Sequence, residues 1–126
     1  MMKQILVVDD DMDFLRLLSS ILRKEAQVYE ATGVKDAIKL LETVSVDAIC
    51  SDFSMRDGTG LELLQMLRQQ GVAVPFLLMS GQDDRHPAKE VHSWGASFCC
   101  KTDYELVAKI TTLANTPISD EPSTAT

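Results

Sequence analysis

Short apolar runs that do not alternate with polar residues recur along this chain, and they restrict the fold more than any other feature. Ile5-Leu6-Val7-Val8, Ala48-Ile49-Cys50-Ser51, Val74-Pro75-Phe76-Leu77-Leu78-Met79 and Ser97-Phe98-Cys99-Cys100 each read as a strand, and Gln27-Val28-Tyr29-Glu30-Ala31 is a fifth, shorter one. A strand without alternation is buried on both faces, as in a parallel sheet. Between the runs, apolar residues return at helical spacing. Phe14, Leu15, Leu17, Leu18, Ile21 and Leu22 mark a first helix, and Val34, Ala37, Ile38, Leu40 and Leu41 a second. Leu61, Leu63, Leu64 and Leu67 mark a third, and Gly58 and Gly60 break the chain before it. A short fourth helix opens near Pro87 and closes at Trp94-Gly95. Tyr104, Leu106, Val107, Ile110 and Leu113 give the last one an amphipathic face. Strands alternating with helices imply an α/β fold, with right-handed crossovers and helices on both faces of the sheet.

A parallel sheet brings the carboxyl ends of its strands to one edge, where open α/β folds bind ligands. Here that edge receives Asp9 and Asp10 from the first strand, Asp52 from the third, Ser80 from the fourth and Lys101 from the fifth. Carboxylates gathered at one point repel each other unless a cation intervenes, and hard oxygen ligands select Mg2+ or Mn2+. With such a cation bound, one carboxylate can act as a nucleophile toward phosphorus. The cation and a lysine ammonium then neutralise the transferring phosphoryl group. Asp10, Asp11 or Asp13 is placed to cap the first helix. Asp57 reads as a turn former. Trp94 reads as core, and neither His86 nor His92 has a partner pattern that gives it a role.

Charge and length exclude several classes. Nineteen acidic and 12 basic residues leave a net charge of -7 over 126 residues, which argues against a nonspecific grip on nucleic acid or on an anionic membrane. No apolar run approaches the ~18 residues a membrane span needs. The start Met1-Met2-Lys3-Gln4 runs straight into a strand, with no cleavage site of small residues. Cys50, Cys99 and Cys100 match no zinc spacing and read as reduced, buried, small hydrophobes, so a cytoplasmic location is expected. Residues 1–115 are expected to form one domain. Residues 116–126 are Pro/Ser-rich and read as a flexible tail or linker.

Five marks in order give the chain a family resemblance over about residues 3 to 114. They are Leu6-Val7-Val8-Asp9-Asp10, Ser51-Asp52-Phe53-Ser54-Met55, Gly60-Leu61-Glu62-Leu63, Met79-Ser80-Gly81 and Phe98-Cys99-Cys100-Lys101. Together they resemble the receiver domain of bacterial response regulators, the chemotaxis-regulator-like domain of two-component signal transduction. The resemblance implies a flavodoxin-like three-layer sandwich, with a five-stranded parallel sheet of order 2-1-3-4-5 and five helices. It implies that Asp52 is the phosphoacceptor and that Mg2+ is held by Asp9, Asp10, Asp52 and the backbone carbonyl of Ser54. It further implies that Lys101 pairs with the phosphate and that Ser80 and Phe98 are the switch residues.

By the same resemblance, the phosphoryl donor is a histidine kinase or phosphotransfer protein, and the signal passes to an output domain or protein by conformational change. Such a domain is a signalling element that assists its own phosphoryl transfer and dephosphorylation. A phosphorylation-dependent dimer is a further expectation, and direct nucleic-acid contact by this domain is not. The chain departs from the family pattern in having Arg56 and Thr102 where proline is usual. The alternative is therefore an atypical receiver that binds proteins independently of phosphorylation. A metal-dependent phosphatase is disfavoured, because it needs a second acid two positions after the nucleophile and Ser54 stands there.

Overall fold

A computed structural model of the protein describes residues 2–81 and 86–116, so the expected tail lies outside the described residues except for Thr116. The elements follow the expected alternation: β1 (Lys3–Val8), α1 (Met12–Leu22), β2 (Ala26–Ala31), α2 (Val34–Leu41) and β3 (Ala48–Asp52). A small hairpin of β4 (Ser54–Met55) and β5 (Gly58–Thr59) comes next, then α3 (Gly60–Gln69), β6 (Phe76–Ser80), α4 (His86–Ser93), β7 (Ser97–Cys100) and α5 (Leu106–Ala114). The main sheet has the order β2-β1-β3-β6-β7 with every pairing parallel. Counting its five strands alone, this is the expected order 2-1-3-4-5.

Alternate residues of the central strands feed two separate cores. Ile5, Val7, Cys50, Leu77 and Met79 pack with α1 and α5, while Leu6, Val8, Ile49, Phe76 and Leu78 pack with α2, α3 and α4. Both faces of these strands are dry, which is why their sequences carry no alternation. β7 is an edge strand, and its last residue Cys100 is exposed while Cys99 is buried. The expectation that all three cysteines are buried is thus wrong for Cys100, because only one face of the strand end is covered. Tyr104 is a second correction. It precedes α5 and is 93% exposed, so the apolar face of that helix starts at Leu106. Trp94 is half-buried against the second core, as expected.

Helix ends are fixed by side chains close in sequence and far from it. Asp11 caps α1, its Oδ1 accepting from Phe14 N at 3.3 Å. Thr59 and Glu62 form a reciprocal capping box at the start of α3. Asp57 does more than form a turn. From the tip of the β4–β5 hairpin its carboxylate accepts from Val34 N at 2.9 Å and Lys35 N at 3.0 Å, so it caps α2 from 23 residues away. These two bonds hold the Asp57 carboxyl below its ordinary pKa. The cap is therefore present above the usual carboxylate range and lost on acidification. Gly33 makes room for it, since a Cβ there would stand 2.6 Å from Asp57 Oδ1. We expect Asp57→Ala to cost about 1 kcal/mol of stability at neutral pH. Urea titrations at neutral and acidic pH check this, since the cost should shrink on acidification.

Candidate functional site

Each strand of the sheet ends at the same edge, and the residues just there are the polar ones. Asp9 and Asp10 follow β1, Asp52 ends β3, Ser80 ends β6 and Lys101 follows β7. The Lys101 amide donates to Ser80 O at 2.8 Å, which extends the parallel pairing by one residue and sets the start of the lysine side chain. Phe53 N donates to Met79 O at 2.8 Å and so pins the peptide after Asp52 to β6. Gly60 permits the close approach of α3 beneath this peptide, because a Cβ there would collide with Asp52 O, Leu78 Cδ1 and Ser51 Oγ.

Asp9, Asp10 and Asp52 each bring a carboxylate oxygen within 4.8 Å of the other two. Asp9 is fully buried and Asp52 is 9% exposed, while Asp10 is half-buried. Lys101 Nζ lies 2.8 Å from Asp9 Oδ2 and 3.3 Å from Asp52 Oδ1. Asp9 Oδ2 accepts no well-directed hydrogen bond among the described residues, so its compensation is the ammonium charge. Asp9 Oδ1 accepts from Asp11 N at 2.9 Å. Asp52 Oδ1 also accepts from Phe53 N at 3.0 Å. Among the described residues, the ion pair and the hydrogen bond of Asp52 both fall on Oδ1, which leaves the lone pairs of Oδ2 for chemistry.

These surroundings shift the titration of the site. Burial, and then the Asp9 charge, push the Asp52 carboxyl up to about 6, against the opposing pull of Lys101. Burial alone would lower the Lys101 pKa, but its contacts with Asp9 and Asp52 outweigh this and hold it above the ordinary value. Lys101 is an ammonium at any working pH. Burial also pushes the Cys50 thiol, one residue before Ser51, well above its usual value, so it stays protonated and inert.

Three carboxylates with one lysine leave negative charge in excess, on oxygen ligands alone. That donor set fits a hard divalent cation such as Mg2+, and the half-buried state of Asp10 leaves a side open to water ligands. Ser54, the expected carbonyl ligand, is exposed at the start of β4, two residues after Asp52. Ser80 is fully buried at the end of β6. Phe98 is half-buried on β7 opposite Leu78 and packs against the second core, which Val91 of α4 joins.

Two contributors to the site are absent from the sequence-based expectations. Phe14 of α1 places its ring 4.5 Å from Lys101 Nζ, a cation–π contact that supports the lysine from below. The Arg56 amide donates to Asp10 Oδ2 at 2.9 Å across 46 residues. An apolar helix residue and a backbone N–H give no signal of such roles in a sequence.

Comparison with known proteins gives the family and the fold. The family model described as the response regulator receiver domain matches residues 5–109. The alkaline phosphatase synthesis transcriptional regulatory protein PhoP of Bacillus subtilis (strain 168) is 34% identical over 85 residues, which are 67% of this chain and 35% of that protein. The DNA-binding transcriptional regulator NtrC of Proteus hauseri is 30% identical over 91 residues, which are 71% of this chain and 19% of that protein. The chain thus spans about a third or less of these two curated relatives. Among solved structures, a Francisella response regulator receiver domain superposes with TM-score 0.81 at 25% identity, over 89% of this chain and 96% of its own. The response regulator TrrA of Thermotoga maritima, in complex with Mg(2+)-BeF, gives 0.77 at 26% identity, over 89% and 99%.

Proposed function

The chain belongs to the response regulator receiver domain family, and from that premise we propose that Asp52 accepts a phosphoryl group from a histidine kinase or phosphotransfer protein in a Mg2+-dependent reaction. One observation carries the reading: three carboxylates converge within 4.8 Å, and one lysine ammonium bridges Asp9 and Asp52. The Mg(2+)-BeF complex of the similar TrrA structure supports the same choice of cation.

Roles follow from position. Asp52 Oδ2 attacks phosphorus as the P–N bond of the donor phosphohistidine breaks, and the bonding pair leaves with the imidazole, which takes a proton from solvent. Lys101 faces the charge that builds on the phosphoryl oxygens. Asp9, Asp10, Asp52 and the carbonyl of Ser54 would hold Mg2+, whose part is to neutralise phosphoryl charge and fix its orientation. Ser80, buried one strand away, supplies a hydroxyl to a phosphate oxygen. Phe98, two residues along the neighbouring strand from the pair of Ser80, transmits the change toward α4 and α5. The aspartyl-phosphate is later hydrolysed with help from the same groups.

The reading is tested by intact mass after incubation with acetyl phosphate. We expect one added phosphoryl group in the presence of Mg2+ and none in the presence of a chelator. A chain that binds Mg2+ but takes up no phosphoryl group from acetyl phosphate or from any phosphohistidine donor would instead favour the phosphorylation-independent binding module.

A further inference from the structure

The three carboxylates are not compensated alike. Lys101 lies against Asp9 and Asp52. Asp10 is the most exposed of the three and forms no ion pair among the described residues. Repulsion from Asp9 and Asp52 would therefore swing its side chain toward water in the cation-free protein. Among the described residues one bond to this carboxylate opposes that, the 2.9 Å donation from Arg56 N to Asp10 Oδ2.

The donor sits in a constrained place. Met55 and Gly58 are paired across the β4–β5 hairpin, so Arg56 and Asp57 are its two turn residues. No residue other than glycine has a positive φ among those described, so both turn residues are on the ordinary side of the map. The Arg56 N–H points out of the hairpin at Asp10, and Asp57 anchors the same tip to the start of α2. The tip is thus held on one side by the α2 cap and on the other by the acidic pocket.

We infer that the Arg56 backbone amide is a positioning group for the pocket. It holds Asp10 in its ligating position before a cation arrives and so strengthens cation binding. A carboxylate has two oxygens, and one can keep the amide while the other serves a cation. A ligand already in place loses less freedom on binding, and groups that orient metal ligands typically govern affinity by about 10-fold or more. The inference rests on the phosphoacceptor reading above, since it assigns Asp10 to the cation.

The backbone makes this testable. Proline lacks the N–H, Arg56 has the φ sign that proline needs, and Met55 is already extended as a residue before proline should be. Arg56→Pro thus deletes the donor, while Arg56→Ala removes the side chain and keeps it. Mg2+ titration by calorimetry should give Arg56→Ala an affinity equal to wild type or tighter. Arg56→Pro should bind about 10-fold more weakly, with the thermal midpoint of Arg56→Ala in cation-free buffer. Equal affinities in the two variants would overturn the inference, and tighter binding by Arg56→Pro would make the amide a competitor and also overturn it.

A measurement on the wild type covers the case in which Arg56→Pro does not fold. With labelled protein, the Arg56 amide should be protected from hydrogen exchange and show a through-bond coupling to the Asp10 carboxyl carbon, both with and without Mg2+. Exchange at open-chain rates would refute the inference alone. A wild type that binds no Mg2+ would take down the phosphoacceptor reading together with it.

Discussion

Asp52→Asn should abolish phosphoryl uptake and yet make the cation-free protein more stable above pH 6. The loss of uptake follows because an amide oxygen is a poor nucleophile and the side chain is otherwise nearly the same shape. The gain in stability follows from the raised pKa. In the unfolded chain an aspartate ionises near 3.8, whereas burial and Asp9 delay this to about 6 in the folded protein. Below the lower value Asp52 is neutral in both states and costs nothing. As pH rises through the window between the two, the unfolded chain loses its proton first, so stability falls. Above about 6 the full cost is present. It is on the order of 1–3 kcal/mol from a shift of this size. The uncharged amide of the Asp52→Asn variant avoids it. The stability difference between variant and wild type should therefore grow from near zero at the acid end to its full size above pH 6. Mg2+ should narrow it by stabilising the wild type preferentially. Urea titrations across this range decide the matter, and a variant less stable than wild type in metal-free buffer at pH 8 would contradict the assignment of strain to Asp52.

Lys101→Met should be the most damaging single change at the site. It leaves Asp9 fully buried, with Oδ2 facing no cation. Breaking a buried pair by removing one partner costs about 3–5 kcal/mol. On the proposed function it also removes the ammonium assigned to the incoming phosphoryl group, so uptake from acetyl phosphate should fall steeply even where the variant is folded. The cause can be isolated by a second substitution. Asp9→Asn in the Lys101→Met background removes the uncompensated charge and should recover much of the lost stability, because replacing both partners of a buried pair is far cheaper than removing one. Phosphoryl uptake should not recover with it. Equal instability in the single and double variants would show that the lysine acts through packing on Phe14 and not through Asp9.

Much of this was legible in the sequence because a parallel sheet has simple bookkeeping. Runs such as residues 5–8 and 48–51 lack alternation only if both faces are dry, and a doubly buried strand delivers its last residue to a shared edge. That logic brings Asp9, Asp10, Asp52, Ser80 and Lys101 to one edge from the sequence alone. What stayed hidden depends on contacts between distant segments. Asp57 in a turn looks the same whether or not its carboxylate reaches α2, 23 residues earlier. Phe14 fits the apolar face of α1 equally well with or without a lysine above it. Cys100 belongs to an apolar run, and only the edge position of β7 exposes it. Tyr104 has the spacing of a core residue but lies before the helix begins.

If Asp52 itself carries the phosphoryl group, as proposed, borohydride will mark it. An acyl phosphate is reduced by borohydride to an alcohol, whereas a free carboxylate is not, so the reagent marks the phosphorylated residue. The protein is incubated with acetyl phosphate and Mg2+, reduced, digested and mapped by mass spectrometry. Homoserine at position 52 alone, absent when phosphodonor or Mg2+ is withheld, is the expected result. Homoserine at Asp9 or Asp10, or an unmodified Asp52 in protein whose intact mass shows a phosphoryl group, would contradict it.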